Sequence, residues 1–440
     1  MTRQSISQAG FMFSEFIKQG AVNMFSRRGF LRIGGLSIST VGIVNSLFSQ
    51  NPGQQQSKLE NMVAGIKPPT SEDYEARQEN ARRLMSTHKI DALFLIGSPD
   101  MQYFTGMSTW VSERTTGVIL HRKGKPVWVV PAFELEGWKE SIPSGHEIRA
   151  WQEHESPFKL IAGIMKGLGS GNGGLGLGSS VRSFISFGLR RDAPTLRLLD
   201  GSIITEGCRS VKTEKELEYM NLANKITKLA YQEGFKNLKE GMSPQDLSGA
   251  ISAAHRRMGV SGSGGPQFGP SSAFPHGSRV PRTLRDGDVV MVDGGCSVEG
   301  YRSDVTRTVV FGKPSDKQRA VWEIVRKAQM EALRAVRPGI SCEEIDAVAR
   351  KVVDEAGYGP AYAYFTHRLG HGIGLEGHEY PYLVKGNKLR LRPGMTFSDE
   401  PGIYIYGEFG IRIEDCFVVT EDGARVLGGM EAMGIDQPFG

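Results

Sequence analysis

Two stretches 98 residues apart carry the same punctuation, and this repetition restricts the fold more than any other feature of the 440-residue chain. Gly241-Met242-Ser243-Pro244-Gln245-Asp246-Leu247 matches Gly339-Ile340-Ser341-Cys342-Glu343-Glu344-Ile345. In each, a serine stands where its hydroxyl can cap a helix, with an acid three residues on that can bond back to it. The same offset carries Gly259 onto Gly357, where glycine can end a helix in left-handed geometry, so two helices of equal length are expected. A histidine-bearing segment and then a pair of strands with two acids follow each helix. Two similar halves, facing each other across a site, are the arrangement this implies.

The acids fall at telling positions. Val289-Val290-Met291-Val292-Asp293 leads through a turn near Ser297 to Gly300 into Tyr301-Arg302-Ser303-Asp304-Val305. A hairpin centred between Val298 and Glu299 is expected to set Asp293 directly opposite Asp304, with their Cβ atoms about 5 Å apart. Carboxylates forced together repel unless a cation lies between them. Asp293 also follows four apolar residues, which argues against a solvated position. In the second half, Met395-Thr396-Phe397-Ser398-Asp399-Glu400 and Gly410-Ile411-Arg412-Ile413-Glu414 flank Pro401 to Phe409. A hairpin about Gly407 would set Glu400 opposite Glu414.

Histidines gather beside these acids. His367, His371 and His378, three of the nine in the chain, lie within twelve residues. His367 and His371 have the i, i+4 spacing of a helical metal pair, but Gly370, Gly372, Gly374 and Gly377 make a helix implausible there. His276 holds the corresponding place in the first half. Two Asp, two Glu and one His offer a charge near −4, which suits two divalent cations. Oxygen-dominated ligation with one imidazole favours Mn, Co, Fe or Zn, with Mn or Zn foremost. Two such ions can share a water, lower its pKa and polarise a carbonyl, so no Ser or Cys nucleophile is needed.

At these residues the chain resembles the pita-bread metallopeptidases, which comprise aminopeptidase P, prolidase, methionine aminopeptidase and creatinase. The resemblance rests on Asp293, Asp304, His371, Glu400 and Glu414 together. His367, His371 and His378, with the run Gly410-Ile411-Arg412-Ile413-Glu414-Asp415, are similar to the aminopeptidase P and prolidase branch. It covers about residues 71–430, including a preceding α/β domain that methionine aminopeptidases lack. The resemblance implies an α+β chain, an α/β N-terminal domain over 59–210 followed by a pseudo-two-fold pita-bread domain over 211–440. It implies that Asp293 chelates one metal, that Asp304 and Glu414 bridge both, and that His371 and Glu400 complete the other. Glu400 would also accept a proton from the bridging water. His276, His367 and His378 would bind substrate or stabilise the tetrahedral intermediate, and Arg412 would either support them or simply pair with a neighbouring acid.

The rest of the chain is consistent with this division. Glu75 to His88 reads as a helix, Ala92 to Ile96 as a buried strand, and Val118 to His121 with Val127 to Val130 as a strand pair. Gly169-Ser170-Gly171-Asn172-Gly173-Gly174 fits a dinucleotide fingerprint in letters only, because a helical run precedes it where a strand is needed; a surface loop is expected. Thr213-Glu214-Lys215-Glu216 opens a helix running to about Asn237. Cys208, Cys296, Cys342 and Cys416 are too scattered for a disulfide scaffold or a zinc module, and Cys296 and Cys416 read as small core residues. Trp110 could be a core residue or part of a surface that closes a neighbouring subunit's cleft, as the family's homodimers or higher oligomers do.

The formal charge of +5 sits mostly in the leader, where Arg3, Lys18, Arg27, Arg28 and Arg32 stand against Glu15, so it argues for no nucleic acid partner. Ser26-Arg27-Arg28-Gly29-Phe30-Leu31-Arg32, followed by an uncharged stretch, resembles a twin-arginine export signal. Residues 1–58 are therefore set apart as signal and linker, with the protein expected outside the cytoplasm, periplasmic or anchored, after passing the twin-arginine export machinery. The function expected is hydrolysis of Xaa-Pro bonds, of aminopeptidase P or prolidase type, by a metal-bridged hydroxide on peptides with proline second. A non-peptidase metal-dependent hydrolase or lyase, and an inactive binding module, are the alternatives.

Overall fold

The computed structural model describes residues 59–440. Arg27, Arg28 and the linker at 51–57 lie outside the described residues. Among the described residues, no helix is long and apolar enough to cross a membrane.

The first part alternates helix and strand. Its elements are α1 Ser71–His88, β1 Ala92–Ile96, α2 Pro99–Thr105, β2 Gly117–His121, β3 Val127–Pro131, α3 Leu135–Ser141, β4 Glu147–Trp151, α4 Pro157–Gly167, β5 Gly174–Leu177, α5 Ser183–Asp192, β6 Arg197–Asp200 and α6 Ser202–Arg209. The six strands form one mixed sheet in the order β4-β3-β2-β1-β5-β6. Its central strands β1, β2 and β3 are buried throughout, which is why they read as continuous apolar runs. The glycine-rich segment at 169–173 is the connection from α4 into β5, a loop as expected, although β5 itself escaped the sequence reading. Trp110 is 80% exposed and so is no core residue.

The second part is built from two comparable runs. The first contains α7 Glu214–Phe235, α8 Pro244–Arg257, β7 Gly265–Phe268, β8 Val289–Gly294, the short pair β9 Ser297–Val298 and β10 Tyr301–Arg302, and β11 Val305–Val310. The second contains α9 Asp316–Ala335, α10 Cys342–Val353, β12 Gly370–Gly372, β13 Glu379–Leu383, β14 Thr396–Asp399, β15 Gly402–Ile405, β16 Phe409–Arg412, β17 Asp415–Val419 and β18 Ala424–Val426. Thr213 with Glu216, Ser243 with Asp246 and Ser341 with Glu344 all form the reciprocal caps that the sequence predicts. Gly259 and Gly357 both have positive φ, at 91° and 87°. Equal helix length fails in detail: α8 has 14 residues and α10 has 12, because a wider turn over Asp354–Tyr358 takes up the rest before Gly357.

One hairpin register also differs from expectation. β8 pairs with β11 so that Asp293 faces Thr306, not Asp304. The turn lies one residue later than expected, with Glu299 and Gly300 both at positive φ, and this slides Asp304 two positions along the ladder. A shift of two keeps a strand's side chains on their original face, so Asp304 still joins Asp293 diagonally. In the second half the register is as expected: Asp399 faces Asp415 and Gly402 faces Arg412, which leaves Glu400 and Glu414 at matching positions between two ladders. The β15–β16 hairpin turns through Gly407 at φ 86°. The sheet β11-β8-β7 and the sheet β13-β12-β14-β17-β18 meet where the Glu414 N–H donates to the Thr306 carbonyl at 3.1 Å. Buried Arg307 seals that seam, donating to the Glu414 carbonyl at 2.8 Å and to Asp415 Oδ1 at 2.8 Å.

A candidate metal centre between the two halves

Asp293 is the last residue but one of β8, Asp304 precedes β11, Glu400 follows β14, and Glu414 precedes β17. Each lies where an apolar strand emerges at the seam, so folding of the strands delivers all four carboxyls to one place. Ligand atoms of Asp293, Asp304 and Glu414 lie within 4.8 Å of one another, and so do those of His371, Glu400 and Glu414. Glu414 belongs to both groups, and Asp304, His371 and His378 form a third of the same kind. His371 Nε2 is 3.2 Å from Glu400 Oε1 and 3.9 Å from Asp304 Oδ2.

The electrostatics are those of a site built for positive charge. Burial, and then the carboxylates of Glu414, Asp293 and Glu400, hold Asp304 well above the usual range. Burial, then Glu400 and Asp293, do the same to Glu414. Glu400 is pushed up to about 7, chiefly by burial. Asp293 Oδ1 is buried with no hydrogen-bond partner among the described residues. His371 Nδ1 lies 3.1 Å from the Gly372 carbonyl, so Nδ1 carries the proton and Nε2 turns a lone pair towards the acids. A lone pair facing carboxylates is unfavourable without a cation between them. The five residues therefore fit divalent metal.

The other expected residues surround this cluster. His378 is exposed and stacks on His371, with ring centroids 3.8 Å apart. Its pKa is lowered to about 4 by loss of water from the ring face that lies on His371, and then by the charges of His371 and Arg368. His367 Nε2 lies 2.7 Å from the Tyr404 hydroxyl, and burial followed by Arg412 lowers it to about 3. His276 is exposed on the segment after Gly269–Ala273. Arg412 does both things weighed from the sequence. It pairs with Asp293 Oδ2 at 2.7 Å, and it donates to the Tyr404 hydroxyl at 2.9 Å and to Thr306 Oγ1 at 3.1 Å.

Four participants escaped the sequence reading. Thr306 donates to Glu414 Oε2 at 2.7 Å, and the two-residue period from Asp304 could have found it. Ser398 donates to Glu400 Oε1 at 3.2 Å and accepts the His371 N–H at 3.0 Å; it too lies two residues from an acid. Arg368 reaches His378 Nδ1 at 3.2 Å. Tyr404 lies in a stretch that read only as a connector, and nothing local marks it. Cys296 and Cys416 are buried free thiols, with Cys416 Sγ donating to the Asp304 carbonyl at 3.2 Å.

An acid-rich cluster with one inward imidazole, set between two pseudo-equivalent halves, defines the class of metal-dependent hydrolases to which the sequence pointed. Comparison with known proteins makes the assignment specific. Residues 218–421 match metallopeptidase family M24, and residues 77–211 match the creatinase/prolidase N-terminal domain. An Xaa-Pro dipeptidase of Lactobacillus helveticus is 37% identical over 343 residues, covering 77% of this chain and 92% of the relative. The crystal structure of a prolidase from Thermococcus sibiricus superposes with a TM-score of 0.74 at 31% identity, over 81% of this chain and 97% of that one. Dipeptidase PepE from Mycobacterium ulcerans gives 0.76 at 33% identity, over 82% and 97%. The chain belongs to metallopeptidase family M24, with the α/β N-terminal domain and pita-bread C-terminal domain of that family.

Proposed function

We propose that this protein is an Xaa-Pro dipeptidase, splitting dipeptides with proline in the second position. The observation that carries the reading is the convergence of Asp293, Asp304, His371, Glu400 and Glu414 at one seam, ringed by His276, His367, His378 and Arg412, in a chain whose relatives include Xaa-Pro dipeptidases.

Those five residues would hold two divalent ions, manganese or zinc foremost, which when bound supply a more acidic water and a polarised carbonyl. The remaining work belongs to the chain. Asp304 and Glu414 are placed for sharing, since each belongs to two of the three ligand groups. Glu400, beside the place the attacking water would occupy, would take a proton from it and deliver it to the leaving imide nitrogen, which has no N–H of its own. His367 and His378 stay neutral at physiological pH. His378 accepts from Arg368 at Nδ1, so its Nε2–H can donate towards oxygen as charge develops on it, while His367 gives its one N–H to the Arg368 carbonyl and accepts from the Tyr404 hydroxyl at Nε2. Arg412 anchors Asp293 and aims the Tyr404 hydroxyl at His367.

The test is turnover of purified protein with Mn, Co or Zn on Xaa-Pro dipeptides and on longer peptides with proline second. Preference for dipeptides upholds the reading, and preference for longer chains makes the protein an aminopeptidase P. Silence on all favours a lyase or a binding module. We further propose assembly as a homodimer or higher oligomer, supported by exposed Trp110 and Val111, and export by the twin-arginine route, supported by Arg27 and Arg28.

A further inference from the structure

Arg209 ends α6, far from the ligand set in sequence, and is only 9% exposed. Its guanidinium works in three directions. Nη1 donates to Asp100 Oδ1 on α2 at 2.7 Å, while Nη2 donates to Glu376 Oε2 at 2.7 Å and also to Glu379 Oε2. Lys212 Nζ holds the other oxygen of Glu379 at 2.6 Å, and the Lys212 backbone N–H is fixed to the Gly394 carbonyl at 2.8 Å. Two cations and three carboxylates are thus collected, mostly out of water.

As a device for stability this cluster is poor. Removing charges from water costs about as much as pairing returns, and apolar side chains of the same size often do better. Arg209 Nε and Asp100 Oδ2 even remain without partners among the described residues. What the cluster does hold is a place. Glu376 and Glu379 bracket His378, and the Glu376 N–H turns back to Glu379 Oε2 at 3.4 Å. The front of the same segment is fixed by the Arg302 N–H, which donates to the Gly374 carbonyl at 2.7 Å. Gly374 has no room for more than hydrogen: a Cβ there would lie 2.5 Å from Glu379 Oε1 and 2.9 Å from Lys212 Cε. His378 itself is exposed; its ring lies on His371 and its Nδ1 accepts from Arg368, while the place from which the ring projects is set by the backbone on either side.

We propose that Arg209 is a positioning residue for His378, and that through Asp100 the α/β domain sets the orientation of an imidazole in the active centre of the same chain. This rests on the reading of His378 as a donor to the reacting oxygen.

The test is a double-mutant cycle read beside NMR. Arg209→Lys keeps the charge but replaces a fork by one ammonium, which cannot reach α2 and both glutamates at once. Turnover on an Xaa-Pro dipeptide should fall about tenfold or more, with KM changed less and metal content unchanged. Arg209→Lys with His378→Ala should be no slower than His378→Ala alone. Independent, multiplying losses, or undiminished turnover in Arg209→Lys, would overturn the proposal. Asp100→Asn leaves Arg209 in place and should give a smaller loss of the same kind; no loss would overturn the part given to the α/β domain. The His378 ring resonance, shifted by its stack on His371, should move in Arg209→Lys while that of His276 stays. If the wild type proves unable to hydrolyse these peptides, the functional reading falls, and the NMR comparison still decides: a displaced His378 resonance upholds Arg209 as its anchor, an unmoved one overturns it.

Discussion

Arg412 reaches across the seam to Asp293, Nη2 to Oδ2 at 2.7 Å, from a strand of the second half to an acid on β8 of the first. The same guanidinium holds the Tyr404 hydroxyl, which meets His367. A charge pair that could have been mere structure therefore orders one side of the site.

Tyr404→Phe removes that hydroxyl and little else. Turnover should fall about 10- to 100-fold, as is usual when a residue that orients others is lost, with metal content unchanged. Kinetics measured beside elemental analysis check this; unchanged turnover would remove Tyr404 from the active machinery.

Asp304→Asn or Glu414→Gln should lower metal content and abolish hydrolysis while the fold persists. Either change takes a charge from a cluster that other acids still crowd, leaving the cations under-neutralised. Two metals per chain in either variant would refute the ligand assignment.

The histidines should separate into two kinds. His371→Ala should lose metal first and activity as a result. His378→Ala should keep near-normal metal and lose about 100- to 1,000-fold in turnover, the usual cost of one donor to a developing oxyanion. Metal loss in His378→Ala with retention in His371→Ala would reverse the division.

Chelation should make stability fall as pH rises. Glu400 is raised from 4.5 to about 7, and Asp304 and Glu414 are raised as well, by burial and then by neighbouring carboxylates, Asp293 among them in each case. A carboxyl whose folded pKa lies above its unfolded value binds its proton more tightly in the folded state. Its contribution is therefore full below about pH 4.5 and is lost as pH climbs through about 7. The gap in melting temperature between metal-loaded and chelated protein should widen from about pH 5 to about pH 7.5. A constant gap would show that these carboxyls do not titrate with folding.

Arg27→Lys together with Arg28→Lys should retain the protein in the cytoplasm, because the paired arginines are what the export route reads. Fractionation of that double variant decides it, and an unchanged location would remove the signal.

The sequence by itself determined the elements and their punctuation. Caps at Ser243 and Ser341, glycines at 259 and 357, and apolar runs ending in Asp293 and before Glu414 act within a few residues of themselves, so they can be read without a fold. Period-two alternation fixed the face on which Asp304 lies even though its register was set by a turn that the letters did not reveal. Only the tertiary structure decided what crosses between elements. Tyr404 joins His367 to Arg412, Thr306 joins β11 to Glu414, and Arg209 joins α2 to the segment around His378. Hydrogen bonds and ion pairs of this kind depend on distance in space, and residues far apart in the chain carry no local mark of the partner they will meet.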